Sequence, residues 1–516
     1  MDTRDIARHY DQIPYTSRPF PQSHPQRMAA LGRLFGLTPP DLSNCRVLEL
    51  GCASGGNLIP LAAAFPAAQF VGIDLSGVQI AEGQARIKRL GAKNIRLINM
   101  SISDVTTGLG TFDYIICHGV YSWVPLEVRD AILRVAHDNL SEHGLAYISY
   151  NVYPGWRLRA VLRDAMLFHG SAADDPAEKI ARGRDFLDKL GNLTNASSAY
   201  GQLLRQEAKN LGALEDNYIA HEYFEANNDP CYFADFVKRC GIFDLSYLTE
   251  SELHLTIAEN FGAETGALLR SLSDNGLERL EQYIDFLTGR TFRQSLLVRR
   301  EQAHRIGRIL SPASIAGLHL STALGPDPEI DGESFVFKDR AQRTLTTTSA
   351  AVRDAVAKLA GMYPLTATPE QLVDEGAGAH NEQDKRDIER SLFNMVMAGI
   401  ADISSVPFAA SATVQPRPTA VPLARADARD GQTWTTNVRH ETVPLSLVAR
   451  AVLPMLDGTN SQTELIRKVQ ALVAEGEIVF HKDGEKLLDC EQIDAAIDNH
   501  ISDALSGFRR AALLVA

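Results

Sequence analysis

Short apolar runs alternate with helical patterns over the first 150 residues of the chain. Four such runs, separated by turns or charged stretches, lie at residues 47–50, 70–73, 95–102 and 112–117. The fourth is apolar at successive positions, which is typical of a strand buried on both faces of a parallel sheet. Helical patterns follow at residues 57–65 and 126–139, and a fifth run lies at residues 145–150. The alternation predicts an α/β fold with an open, mainly parallel sheet.

A glycine turn joins the first run to the first helical pattern. Residues 47–57 read Val-Leu-Glu-Leu-Gly-Cys-Ala-Ser-Gly-Gly-Asn, and Asp74 ends the second run. Glycines such as Gly51 and Gly55 let the backbone approach a ligand closely, and an acid at the end of the second strand accepts hydrogen bonds from ribose hydroxyls. The unit therefore predicts a site for a cofactor that contains a nucleoside.

Two cofactors fit such a unit, and Glu49 separates them. The spacing Gly51-x-Ala53-x-x-Gly56 also fits a dinucleotide fingerprint, so NAD must be considered. A pyrophosphate needs bare amides and a helix N-terminus, however, and a carboxylate beside it is unfavourable. S-adenosylmethionine carries an ammonium and a cationic sulfur, and both suit Glu49. The sequence favours S-adenosylmethionine.

Ligands of open α/β sheets bind at the carboxyl ends of the strands, and further candidates follow these ends. We expect Ser101 and Ile102 near the adenine ring and Leu75 beside Asp74. The predicted cofactor-binding residues are Glu49, Gly51, Gly55, Asp74, Leu75, Ser101, Ile102 and His118.

Composition and charge narrow the choice of partners. The 516 residues are 45% hydrophobic and 22% charged, and the formal net charge is −13. The length predicts three or four globular domains. The excess of acidic residues disfavours nucleic acid as a partner, since phosphate binding needs a basic face. It is compatible with cationic, lysine-bearing substrates.

Targeting and metal signals are not evident in the sequence. The six cysteines form no C-x-x-C pair, so we expect reduced thiols and no metal site. The apolar region 58–73 is interrupted by prolines, so we expect no membrane insertion. The N-terminal residues have no signal-peptide pattern, and a cytoplasmic location is expected.

Domain boundaries are predicted from changes of pattern along the chain. The first 42 residues contain an aromatic segment (residues 10–15 and 20–25) that fits a lid over the cofactor or, equally well, a brace on the sheet. The predicted units are a cofactor-binding domain at 1–165, a helical connector at 166–213, an aromatic-rich helical domain at 214–305, a linker at 306–345, and winged-helix-like domains at 346–406 and 423–516. The last unit has no basic recognition helix, which favours contact with protein over nucleic acid.

Several motifs resemble those of one enzyme family. The pattern acid-x-Gly-x-x-x-Gly, followed by Gly-x-Asp-x-Ser at residues 72–76, resembles class I S-adenosylmethionine-dependent methyltransferases, with Ala53 where many members have glycine. Residues 118–125, residues 150–156 and the aromatic middle segment resemble bacterial members that carry a methyltransferase regulatory domain. Among these, the chain is similar to rickettsial protein-lysine methyltransferases that modify outer membrane protein B. The resemblance implies a homodimer formed by the middle domain. It also implies a lysine-bearing protein substrate, such as a surface or outer-membrane protein.

A methyl acceptor needs positioning and desolvation, and aromatic residues follow the strand ends. The candidate catalytic residues are His118, Tyr150 and Tyr121, and the candidate substrate channel comprises Trp123, Tyr153, Trp156, His221 and Glu222. For the strand-end residues, ordinary packing of the loops is the competing interpretation. For His221 and Glu222 it is a solvated helix face or a helix-cap network. Three functions stay open: methylation of protein lysines, methylation of a small molecule, and a catalytically weak binding module.

Overall fold

A seven-stranded sheet forms the centre of the computed structural model, which describes residues 17–171, 173, 175–212, 216–225, 227–327, 334–374, 381–482, 485–487 and 489–515. The strand order is β3-β2-β1-β4-β5-β7-β6. The strands are β1 (Arg46–Leu50), β2 (Gln69–Asp74), β3 (Ile95–Asn99), β4 (Phe112–Cys117), β5 (Leu140–Asn151), β6 (Leu245–Glu250) and β7 (Phe292–Arg299). Strands β1 to β5 are parallel, and β7 runs antiparallel to both β5 and β6.

Alternating residues of the strands enter two separate cores, one on each face of the sheet. Val47 packs in the core that contains helix α1 (Pro25–Leu34), whereas Leu48 packs in the core that contains helix α4 (Leu126–Asp138). This explains why β1 and β4 are apolar at successive positions, as the sequence predicts. Helices α2 (Leu58–Ala64) and α3 (Gly77–Leu90) complete the cofactor-binding unit.

The last two strands of the sheet come from the 214–305 segment. The sequence analysis expected this segment to be helical, yet β6 and β7 lie in it and complete the sheet. Both strands are buried over most of their length, because β5 and the helices on either face cover them. The remaining parts are helical: α9 (Phe233–Ile242), α10 (Ala263–Leu272) and α11 (Leu277–Thr288). The segment is thus part of the same sheet as the cofactor-binding residues.

A group of helices between β5 and α9 has a small core of its own. Helices α5 (Gly155–Gly170), α6 (Pro176–Leu193), α7 (Ala199–Gly212) and α8 (Asp216–Tyr223) pack around residues such as Met166 and Leu204. The helical connector predicted at 166–213 corresponds to α6, α7 and the C-terminal end of α5. Residues 194–198 separate α6 from α7.

Two further units follow the sheet. In the first, β8 (His319–Ser321) pairs with β12 (Asp402–Ser404), and a small sheet comprises β9 (Gly325–Pro326), β10 (Phe335–Lys338) and β11 (Thr344–Thr347). Its helices are α12 (Ala350–Gly361), α13 (Pro369–Asp374) and α14 (Glu382–Met397). These helices share a core with α1, so the unit packs directly against the cofactor-binding unit.

The second unit is the C-terminal winged helix. Its helices are α15 (Pro422–Arg429), α16 (Leu447–Val452), α17 (Gln462–Ala474) and α18 (Cys490–Arg510). Its strands are β13 (Thr419–Ala420), β14 (Trp434–Thr436), β15 (Thr442–Pro444), β16 (His481–Lys482), β17 (Glu485–Lys486) and β18 (Leu514–Val515). Val452, Leu465 and Ile501 are central to its core. Among the described residues, no helix is long and apolar enough to cross a membrane.

Candidate active site

The turn after β1 has a backbone that favours glycine at two positions. Gly51 and Gly55 have φ angles of +76° and +79°, and a Cβ on Gly51 would lie 2.4 Å from Cγ2 of Val120. Ala53 also has a positive φ, 49°, so this departure from the family pattern keeps the left-handed backbone. The turn is therefore shaped for close approach by a ligand.

Asp74 stands at the end of β2 and fixes the turn from the other side. Its Oδ2 accepts a hydrogen bond from Ala53 N (2.8 Å), and its Oδ1 accepts one from Ser76 N (2.8 Å). Each carboxylate oxygen has more than one lone pair, so ribose hydroxyls can still donate to it. The geometry at Asp74 is therefore compatible with the predicted nucleoside site.

Glu49 is buried at the end of β1 and is only partly hydrogen-bonded. Its Oε1 accepts from Asn57 Nδ2 (2.8 Å), whereas its Oε2 is buried with no partner among the described residues. Desolvation raises the pKa of Glu49 to about 8, and Asp74 adds to the rise, while the hydrogen bond from Asn57 opposes it. A buried carboxyl with an unsatisfied oxygen is suited to a cationic ligand group.

Three residues that the sequence analysis did not select complete this end of the site. Asn57 Oδ1 accepts from Phe20 N (3.0 Å) and contacts Nε2 of His440 (2.7 Å). Asn57 directly follows the glycine turn, so its position could have been inferred from the sequence. His440 lies in the winged helix, and no local sequence signal connects it to Glu49.

The segment before α1 covers the glycine turn. Gly56 N donates to Ser17 Oγ (2.7 Å), and the Phe20 ring stacks on His118 with centroids 3.8 Å apart. This part of the predicted aromatic lid lies over the turn, whereas residues 10–15 are outside the described part of the chain.

The residues expected near the adenine follow β2 and β3. Asn99 Nδ2 donates to the carbonyls of Asp74 (3.1 Å) and Leu75 (2.8 Å), which joins the two strand ends. Ile102 is buried, and Ser101 begins the short 3₁₀ helix in which Ile102 lies. The structure brings Leu75, Ser101 and Ile102 to the same edge of the sheet as Asp74.

His118 follows β4 and is held in a largely aromatic environment. Its Nδ1 lies 2.9 Å from the Tyr147 hydroxyl, and Phe292 contacts the ring edge-on. Burial lowers the pKa of His118 to about 3. The imidazole is therefore neutral at physiological pH, and it is too weak a base to remove a proton from an ammonium group.

Tyr121 and Tyr150 lie in the core under α9. Tyr150 is 1% exposed, stacks on Phe236 at 3.8 Å, and its hydroxyl lies 2.9 Å from Ser295 Oγ. Tyr121 is 2% exposed and packs edge-on against the same Phe236. The sequence analysis selected both residues as catalytic candidates that follow the strand ends and face the acceptor. The structure places them beneath helix α9 instead, and their catalytic role stays a prediction.

The other channel candidates lie closer to the surface. Trp123 and Tyr153 are half-buried, and Arg157 lies over the Tyr153 ring at 3.9 Å. Trp156 is 1% exposed and supports Trp123 edge-on at 6.1 Å. Tyr232, from the 214–305 segment, packs against Tyr153 at 5.4 Å. Trp123 thus pairs with Trp156, and Tyr153 pairs with Tyr232. The three half-buried rings of these pairs, Trp123, Tyr153 and Tyr232, are called the aromatic rim below.

His221 and Glu222 lie in α8, where the side chain of His221 is outside the described part of the structure. The segment after α8 is the one that contacts the strand ends. Asp229 N donates to Ser122 O (2.9 Å), and Asn151 Nδ2 donates to Asn228 Oδ1 (3.2 Å). The role predicted for His221 and Glu222 stays a prediction.

Comparison with known proteins identifies a family that shares these features. Family models match residues 47–144 ("Methyltransferase domain"), 215–299 ("Predicted methyltransferase regulatory domain") and 416–513 ("PKMT, C-terminal winged helix domain"). The uncharacterized protein RP789 of Rickettsia prowazekii is 32% identical over 99% of this chain and 95% of its own length. The chain belongs to the PKMT-type class I methyltransferases.

A solved structure of a PKMT-type methyltransferase has the same fold over the whole chain. PKMT2 from Rickettsia typhi, in complex with AdoHcy, is 29% identical and superposes with a TM-score of 0.89 over 98% of this chain and 100% of its own. A second structure of PKMT2 gives a TM-score of 0.88 at 28% identity. The preference for S-adenosylmethionine over NAD is thereby confirmed.

The residues of this PKMT-type enzyme fit that cofactor. The unsatisfied Oε2 of Glu49 can accept a hydrogen bond from its ammonium, and Asp74 can accept from its ribose hydroxyls. When bound, S-adenosylmethionine supplies a methyl group activated by a positively charged sulfur. The chain's own contribution is to orient the cofactor and to exclude water, and the segment with Ser17 and Phe20 covers the turn.

Proposed function

We propose that this methyltransferase acts on lysine ε-amino groups of a protein. The C-terminal winged helix matches the model described for PKMT, and the fold matches PKMT2 from Rickettsia typhi. These names support a protein-lysine acceptor, in line with the resemblance of the strand-end motifs. The formal net charge of −13 is also compatible with a cationic substrate.

The observation that carries the proposal is the neutral, aromatic environment after β4 and β5. His118 is uncharged between Phe20 and Tyr147, and the rim formed by Trp123, Tyr153 and Tyr232 is half-buried. An apolar environment lowers the pKa of a lysine amine because it disfavours the charged form. The acceptor thus reaches the site with the lone pair that it needs for attack. Aromatic faces also favour a methylated ammonium through cation–π contact.

Proton transfer in this proposal needs no strong base on the enzyme. The low pKa of His118 leaves water to take up the proton of the lysine before the amine enters the rim. The rate should therefore rise with pH as the acceptor amine deprotonates, with a midpoint below that of free lysine, about 10.4. The pH dependence of single-turnover methylation, at saturating S-adenosylmethionine, measures this midpoint.

The acceptor is identified by incubating the enzyme with methyl-labelled S-adenosylmethionine and a cell lysate. We expect label in protein, with mass spectrometry locating it on lysine. The Asp74→Asn variant, which should bind the cofactor more weakly, is the negative control when the concentration of labelled cofactor is limiting. Label in a small metabolite would favour the alternative of a small-molecule methyltransferase. Label on carboxylates would contradict the lysine acceptor, and no transfer at all would favour the catalytically weak module.

We also propose that the 214–305 segment forms a homodimer. Large apolar side chains are exposed on α9, α10 and α11: Ile242 (70%), Leu268 (58%), Leu272 (48%) and Leu287 (50%). Leu268 and Leu272 lie one helical turn apart on α10, and neighbouring exposed apolar side chains are typical of an interaction surface. Light scattering should give twice the monomer mass, and Leu268→Glu with Leu287→Glu should give the monomer. A monomeric parent protein would contradict the proposal.

A further inference from the structure

The side-chain amide of Asn57 connects four parts of the chain. It is 2% exposed, and its Nδ2 donates to Glu49 Oε1 (2.8 Å) and to Ser23 Oγ (3.2 Å). Its Oδ1 accepts from Phe20 N (3.0 Å) and contacts His440 Nε2 (2.7 Å). Both N–H groups and the oxygen of the amide are thus hydrogen-bonded, and these four partners determine the orientation of the side chain.

The hydrogen bond with His440 has a defined direction. The backbone N–H of Phe20 can only donate, so the Asn57 atom that it contacts is the oxygen. His440 Nε2 must therefore carry the hydrogen and donate to the same oxygen. Burial lowers the pKa of His440 well below its ordinary value, and the ring of His24 at 5.1 Å adds to this shift. The donor is a neutral imidazole.

The backbone around His440 is built to present this side chain. His440 has a φ of +62°, an uncommon conformation for a residue with a side chain. Asn437 holds the loop in place: its Oδ1 accepts from the backbone N–H groups of Arg439 and Glu441, both at 2.9 Å, and its Nδ2 donates to Ala511 O (2.9 Å). The loop is thereby fixed to the rest of the winged helix.

Ion pairs hold the winged helix against the cofactor-binding unit near this loop. Arg86 of α3 pairs with the largely buried Asp427 at 2.7 Å, and Arg89 pairs with Asp430 at 3.2 Å. The guanidinium of Arg18 lies 5.7 Å from the Trp434 ring centroid. The contact between His440 and Asn57 is therefore part of a broader docking surface.

We propose that His440 is a positioning residue for cofactor binding: through Asn57 it orients Glu49, so that docking of the winged helix sets the affinity for the amino-acid end of S-adenosylmethionine. Glu49 has one oxygen held by Asn57 and one available to the ammonium. Movement of the winged helix removes one of the contacts that hold the Asn57 amide, and the Glu49 carboxylate loses its fixed orientation. The winged helix thereby couples events at its own surface to the cofactor site. This inference does not depend on the identity of the methyl acceptor.

The test compares two ligands by titration calorimetry. AdoHcy has an amino-acid end, whereas 5′-methylthioadenosine has the same nucleoside and sulfur without it. His440→Asn suits the left-handed backbone but is too short to reach Asn57. We expect it to weaken AdoHcy binding about five-fold, as for the loss of one neutral hydrogen bond, and to leave 5′-methylthioadenosine binding unchanged.

Two further variants separate positioning from folding. His440→Gln places an amide donor at a similar reach and should bring AdoHcy affinity back to within about two-fold of the parent enzyme. His500→Asn, an exposed histidine of α18 in the same domain, serves as the matched control and should change neither ligand. Should His440→Asn not fold, His440→Met, with similar length and no donor, replaces it. Equal weakening of both ligands, or no change in AdoHcy affinity, would overturn the proposal.

Discussion

Glu49 and Glu250 are two buried glutamates of one sheet with opposite electrostatic surroundings. Glu49 ends β1 with a hydrogen bond from neutral Asn57 and an unsatisfied oxygen. Glu250 ends β6, and its oxygens contact Arg293 (3.2 Å) and Arg290 (3.1 Å). Burial alone would raise the pKa of Glu250, but the two arginines, with Ser295 and Gln294, hold it below its ordinary value.

The difference distinguishes a binding carboxylate from a structural one. Arg293 is fully buried and also contacts Glu281 and Asp285, both at 2.8 Å, so the charges of this cluster are compensated within the fold. No cation of the described chain contacts Glu49, and the prediction is that the ammonium of the cofactor compensates its charge. Burial alone therefore does not identify a functional carboxylate, and the missing partner does.

The largest expected effect is on the structural side of this comparison. Arg293→Met leaves three buried carboxylates with Arg290 alone, and removal of one partner from such a cluster costs about 3–5 kcal/mol. The urea unfolding midpoint should fall accordingly. Arg279→Met, which removes the exposed ion pair between α11 and Asp274, is the control and should shift the midpoint little. An unchanged midpoint for Arg293→Met would mean that the cluster does not stabilise the fold.

On the binding side, Glu49→Gln should leave stability unchanged and weaken binding. Glutamine resembles the protonated carboxyl, so the free protein at pH 7 should unfold at the same urea concentration. At pH 8, AdoHcy binding should weaken by roughly 2–3 kcal/mol, because the charged acceptor for the ammonium is lost. Titration calorimetry measures this, with 5′-methylthioadenosine as the ligand that should not respond. A destabilised protein with normal AdoHcy affinity would reverse the assignment.

Asp74 sharpens the comparison, since its oxygens already accept backbone hydrogen bonds. Asp74→Asn should weaken both AdoHcy and 5′-methylthioadenosine, by about 1–2 kcal/mol each, because both ligands have the ribose. Asp104→Asn, at an exposed position just after Ile102, is the control. Weakening of AdoHcy alone would contradict the placement of the ribose at Asp74.

The smallest expected effect is a pH dependence of the free energy of unfolding. Its sign should differ between the two glutamates. The raised pKa of Glu49 stabilises the free fold below its ordinary pKa of 4.5, and this contribution is lost as pH rises through about 8. The lowered pKa of Glu250 acts the other way: its contribution is present above 4.5 and is lost as pH falls through the lowered pKa.

Cofactor affinity follows from the same linkage. AdoHcy binding should strengthen between pH 6 and pH 8 by at most about 1.4 kcal/mol per pH unit, as Glu49 gives up its proton. It should level off above about pH 8, where Glu49 has lost its proton. Calorimetry in two buffers of different ionisation enthalpy should show proton release, which Glu49→Gln should abolish. A flat profile in the parent enzyme would contradict the raised pKa.

The sequence predicts those parts of the site that are formed by one short, continuous stretch of residues. The glycine turn, Glu49 and Asp74 lie within one strand–turn–helix–strand unit, whose pattern determines both conformation and chemistry. The five parallel strands were predicted for the same reason, because each is a short apolar run between turns. The cofactor followed from the charge of a single residue, Glu49.

The rest depends on contacts between distant parts of the chain. Tyr150 ends a strand where ligand contacts are common, yet Phe236 of α9 covers it. Strands β6 and β7 lie among helices in an aromatic segment, and their place in the sheet depends on β5. His440 reaches Asn57 across 383 positions of sequence. Periodicity and motif spacing carry no information about such pairs.

The position of β7 beside β5 has a consequence for synthesis on the ribosome. β5 ends at Asn151 and its antiparallel neighbour begins at Phe292, so the nascent chain displays an unpaired strand edge while residues 152–291 are translated. Exposed strand edges are prone to pairing with other chains. Helices α5 to α8 have their own core and can fold during this interval. Their folding shortens the flexible chain between β5 and β7 and so lowers the entropic cost of pairing these strands. Ribosomes halted before residue 292 should therefore yield an aggregation-prone chain, and those halted after residue 299 a sheet with its strand order complete.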